Sequence, residues 1–89
     1  MSEAHTTVWE NIRRATAFLQ SRGVSEAFAS ARVLMAAALD TSSADVVVSR
    51  AKPMTREESE RFWELIERRA SGEPVAYILG RCEFYSIEL

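Results

Sequence analysis

The sequence is poor in the residues that carry most side-chain chemistry. Its 89 residues contain one cysteine, Cys82, and one histidine, His5, at opposite ends of the chain. An internal disulfide is excluded, and a thiol with a base in hydrogen-bond reach is not expected, because His5 lies in an unpatterned N-terminal tail. Cys82 reads as a small strand residue. The ligand types are nowhere clustered at metal-binding spacing, and Gly23, Gly72 and Gly80 stand too far apart for a cofactor loop. No apolar run approaches the ~20 residues of a membrane span, and no leader pattern opens the chain. Lysine is scarce too. Lys52 stands against ten arginines, and the formal net charge is -2. So small a total steers partners of neither sign, while the arginine fork suits carboxylates and carbonyls. The expectation is a soluble cytoplasmic protein with no membrane contact, no metal and no catalytic residue in this stretch.

What is present is a globular composition, 47% hydrophobic and 27% charged, which a disordered chain would not show. Thr7 with Glu10 makes a capping box, and Val8, Ile12, Ala15 and Leu19, flanked by Trp9 and Phe18, follow helical spacing to a stop at Gly23. Ser25 is the next expected N-cap. Phe28, Ala31, Met35 and Ala38 form the second stripe, with Leu34 and Leu39, in an alanine-rich helix expected to sit centrally. Between Asp40 and Arg50, three valines favour a strand while Ser43 before Ala44 and Asp45 resembles a helix start; a short helix ended by Pro53 is the expectation. Thr55 with Glu58 opens a helix to about Ser71, with Phe62, Leu65 and Ile66 inward and Glu57–Arg61 and Glu64–Arg68 pairs outward. Pro74 to Leu79 adds a turn or two. Cys82 to Leu89 alternates like a strand, and a lone strand leaves its backbone unpaired, which implies half of a hairpin. The fold class is all-α: a bundle of four or five helices over residues 1–80, then over 81–89 a C-terminal strand that would start an interdomain hairpin.

The stretch from Arg68 to Phe84 is the candidate functional corner. Gly72 can end a helix at positive φ, Pro74 presets a new first turn and Gly80 can close it, so the backbone is specified residue by residue. Arg69 follows Leu65 and Ile66 by four and three positions and points to the apolar side of its helix. Its guanidinium either ties down loop carbonyls, Glu73 or Glu83, or meets a bound protein. Tyr77 is expected in the core with its hydroxyl near the surface, or as an interface anchor. A helix-turn-helix spacing runs from Ala17 to Leu39, but Arg32 is the only basic group its would-be reading helix offers, and direct nucleic-acid binding is not expected.

The run Arg68, Arg69, Gly72, Glu73, Pro74, Tyr77, Ile78, Gly80, Glu83 and Phe84 resembles the PrmC/HemK family of release-factor glutamine methyltransferases, over about a fifth of the chain. The resemblance implies a helical N-terminal domain joined by a β-hairpin to a Rossmann-like domain that binds S-adenosylmethionine. It implies methylation of the side-chain amide of the Gly-Gly-Gln glutamine in peptide-chain release factors, with the helical domain helping to dock them. The catalytic Asn-Pro-Pro-Tyr motif and methyl-donor loop of that family are not in this sequence, so these residues alone should be inactive and bind no cofactor. The residues expected to contact a release factor or the chain's own methyltransferase domain are Arg69, Gly72, Glu73, Pro74, Tyr77, Gly80 and Phe84. A stand-alone protein-binding adaptor is the alternative.

Overall fold

A helix leaves four amides at its start and four carbonyls at its end without partners, and the course of this chain follows from where those groups are satisfied. The computed structural model describes residues 7–80. Among the described residues five helices follow in order: α1 (Val8–Ser21), α2 (Ala27–Leu39), α3 (Ser43–Val48), α4 (Arg56–Ala70) and α5 (Val75–Gly80). The all-α reading holds. The expected strand lies outside the described residues.

The opening amides of α1 are all taken up. The Thr7 hydroxyl accepts from the Glu10 N–H at 3.1 Å, and the Thr7 carbonyl accepts from that of Asn11 at 3.0 Å. Val8 and Trp9 reach across the molecule instead, donating to the carbonyls of Lys52 and Arg50, both at 2.9 Å. The segment between α3 and α4 is thereby strapped to the start of α1, with Thr7 bridged antiparallel to Pro53. Contrary to expectation, Pro53 does not end the third helix; α3 stops earlier, at Val48, and Pro53 lies in the strap. Both halves of the Thr55–Glu58 capping box close at α4, at 3.0 and 3.1 Å.

Three helices end in the same way. At Gly23 (φ 78), Asp40 (φ 57) and Gly72 (φ 116) the chain turns left-handed, and the following amide reaches back five residues: Val24 to Leu19, Thr41 to Ala36, Glu73 to Arg68. Two sequence expectations shift by one residue as a result. Ser25 is not the cap of α2; the Gly23 turn folds Val24 back against the core, Ser25 falls within the turn, and the helix starts after Glu26, itself left-handed at φ 54 and without a side-chain cap. The short helix across the valines does form, but Ser42 caps it, its hydroxyl accepting from Asp45.

Helix α2 lies at the centre, packed against each of the other four. Ile12, Leu19, Leu34, Met35, Val46, Phe62, Ile66 and Ile78 fill the interior, with the alanines of α2 buried between the larger side chains. Phe28 departs from its expected inward place: Ala27 takes the contact position, and the phenyl ring turns out, edge-on to Trp9 at 6.0 Å. Among the described residues, no helix is long and apolar enough to cross a membrane.

Candidate functional site

The last turn of α4 carries Arg68 and Arg69, and both turn toward the residue that follows the Gly72 turn. Arg68 donates from Nε and Nη2 to one carboxylate oxygen of Glu73, at 3.0 and 2.9 Å, and its carbonyl accepts the Glu73 N–H at 3.2 Å. Arg69 donates from Nη1 to the Glu73 carbonyl, at 3.2 Å. Amide, carboxylate and carbonyl of Glu73 are thus all engaged by the preceding two arginines, and the angle between α4 and α5 is held by side chains as well as backbone.

Immediately beyond this lock Pro74 opens α5. Its carbonyl accepts from Tyr77 and Ile78, both at 3.0 Å, while Ile78 and Leu79 anchor the turn in the core against α2 and α4. The corner therefore brings Arg69, Gly72, Glu73, Pro74, Tyr77 and Gly80 into one connection. Phe84 and Glu83 lie outside the described residues.

Gly80 is the last residue of α5, closing the turn as expected and without a positive φ. Several expectations about other residues are corrected. Tyr77 is not a core residue; it is 50% exposed, because Ile78 and Leu79 occupy the inward positions of so short a helix. Arg68 pairs with Glu73 and not with Glu64, since the Gly72 turn brings that carboxylate back over the helix end. Arg61 donates 2.8 Å to the Ala38 carbonyl at the end of α2 instead of pairing with Glu57. An exposed pair does form one residue earlier, Arg56 with Glu60 at 3.7 Å. Of the two readings of Arg69, the one in which it ties down a loop carbonyl is the contact observed; its Nε is buried without a hydrogen-bond partner among the described residues.

Arg68, Arg69 and Glu73 engage one another, and half-exposed Tyr77 stands beside exposed Pro74 and Ala76. Among the described residues no group of three metal-ligating side chains occurs.

The chain matches the family described as PrmC N-terminal domain over residues 10–80. It is 44% identical over 71 residues to a release factor glutamine methyltransferase of Agrobacterium fabrum, covering 80% of this chain and 25% of that protein. With a release factor glutamine methyltransferase of Bradyrhizobium diazoefficiens it shares 38% identity over 79 residues, 88% of this chain and 27% of the other. A bifunctional methyltransferase of Rickettsia felis is 32% identical over 77 residues, 86% of this chain and 15% of its own length. The chain thus spans about a quarter of the first two relatives. No solved structure matches.

Proposed function

Because the chain belongs to the PrmC N-terminal domain family, we propose that it is the substrate-recognition domain of a cytoplasmic protein methyltransferase acting on the Gly-Gly-Gln glutamine of peptide-chain release factors. The match across residues 10–80, shared with relatives named for release factor glutamine methylation, carries this reading. In it, residues 1–80 are the docking domain and 81–89 lead toward a methyltransferase domain.

The described residues do not fit S-adenosylmethionine. Gly23 and Gly72 are occupied in ending helices, and no strand with a glycine-rich turn is present among those residues to receive a nucleoside. The methyl donor accordingly belongs to the partner domain, and no step of transfer is assigned to this chain. Its contribution is positional. Glu73, held by Arg68 and Arg69, fixes α5, and α5 presents Tyr77 and Pro74 either to the release factor or to the catalytic domain.

The test is kinetic, in the methyltransferase that carries this domain. Tyr77→Ala is expected to raise KM for the release factor about 5- to 30-fold, the range of a single interface anchor, with kcat and melting temperature nearly unchanged. Activity that fell only in step with unfolding would make Tyr77 a structural residue and remove the corner from recognition.

A further inference from the structure

On another face α1, α2 and α3 leave an open groove of about 270 Å³ whose floor is Ile12 and Val46 and whose walls include Trp9, Phe28 and Val47. Trp9, Phe28 and Val47 are each more than two-fifths exposed, as is neighbouring Val48, although a bundle this small has a use for every apolar side chain it can bury. The volume falls below the ~300–1,000 Å³ of small-molecule sites and suits one or two inserted side chains. Among the described residues, both charged groups in the lining are arginines, Arg32 and Arg50, and no carboxylate lines it. Arg32 stacks over the Phe28 ring at 5.7 Å, and its Nε is buried with no hydrogen-bond partner among the described residues. Arg50 spends Nη1 on the Val47 carbonyl at 2.8 Å, which sets its guanidinium at the rim. An unanswered buried donor beside an apolar slot is a site built for an acceptor that arrives with an apolar anchor.

We infer that this groove docks an acidic amphipathic segment of a partner protein, which inserts an aromatic or branched apolar side chain between Trp9, Phe28 and Val47 and places carboxylates on Arg32 and Arg50. The inference rests on the lining alone and is independent of the methyltransferase reading.

The test uses the 89-residue chain and two synthetic 16-residue helical peptides with the same Leu and Phe stripe, one flanked by glutamates and the other by lysines. Chemical-shift titration is expected to move the Trp9 indole N–H and the Val47 amide with the glutamate peptide, and the lysine peptide is expected to bind at least tenfold more weakly. Val47→Asp should abolish the shifts. Arg50→Gln, at an exposed residue whose loss does not threaten the core, should weaken the glutamate peptide at least threefold while the spectrum stays dispersed. Equal binding of the two peptides, shifts confined to other faces, no shifts at all, or a folded Arg50→Gln variant with unchanged affinity would each overturn the inference.

Discussion

Asn11 sits fully inside the bundle with its amide used at both ends: Nδ2 donates to the Thr7 carbonyl at 3.0 Å and Oδ1 accepts from the Trp63 indole at 2.9 Å. That indole is in turn edge-on to Phe18 and Phe62, so one polar contact sets a three-ring cluster. Asn11→Ala leaves a buried donor unanswered and is expected to cost about 1–3 kcal/mol in urea unfolding. Trp63→Phe should then cost less in the Asn11→Ala background than alone; strictly additive losses would show the two are not coupled. None of this was legible from the sequence. Helical spacing marks which positions face inward, but Asn11 and Trp63 are 52 residues apart, as Arg61 and the Ala38 carbonyl are 23 apart, and only the assembled bundle brings them together. Local chemistry misled at Arg68 for the same reason: Glu64 is near along the helix, but the turn delivers Glu73 in a better place.

Helix ends are where the elements are decided. Gly72 and Asp40 close α4 and α2 in the same left-handed way, and substitutions there should have opposite signs. An added Cβ at Gly72 meets no atom within 4 Å, so Gly72→Ala suffers only backbone strain, and a loss of about 1–2 kcal/mol is expected. Asp40→Gly removes such strain and should be neutral or stabilise by up to about 1 kcal/mol. Thermal melts of the two variants check both; a fall at Asp40 would show that its side chain contributes more than the backbone strain costs. Thr55→Ala should lower stability by about 1 kcal/mol through loss of the box at α4. Periodicity and caps made α1, α2 and α4 readable in the sequence, and even the valine-rich α3 follows its serine and aspartate over its strand propensity. The starts of α2 and α3 were misplaced by one residue because neighbouring polar residues compete to cap, and the turn geometry that chooses between them is tertiary.

For the molecule as a whole, the strap from Arg50 to Pro53 matters as much as the core. It closes the first turn of α1 with carbonyls from the middle of the chain, so that turn should not fray independently. In hydrogen exchange the amides of Val8 and Trp9 are expected to be protected nearly as well as those of α2; free exchange there would mean the strap opens on its own. At this scale the sequence was a good guide to the bundle and to the corner's backbone, where Gly72 and Pro74 carry unambiguous conformational meaning. It was a poor guide to the corner's side chains and did not mark the groove of Trp9, Phe28 and Val47, because residues that read as core by composition are left outside when Ala27, Ile78 and Leu79 take the inner positions.

That strap also bears on how the chain is made. Helix α1 is synthesised ahead of the strap, and its two opening amides have no partner until Arg50 and Lys52 have been added, a wait of roughly 2–9 s at about 5–20 residues per second. Alone, a helix of 14 residues is marginal in water. Helix α1 is therefore completed only after Arg50 and Lys52 have been translated, and until then its apolar face is available to whatever waits at the tunnel exit.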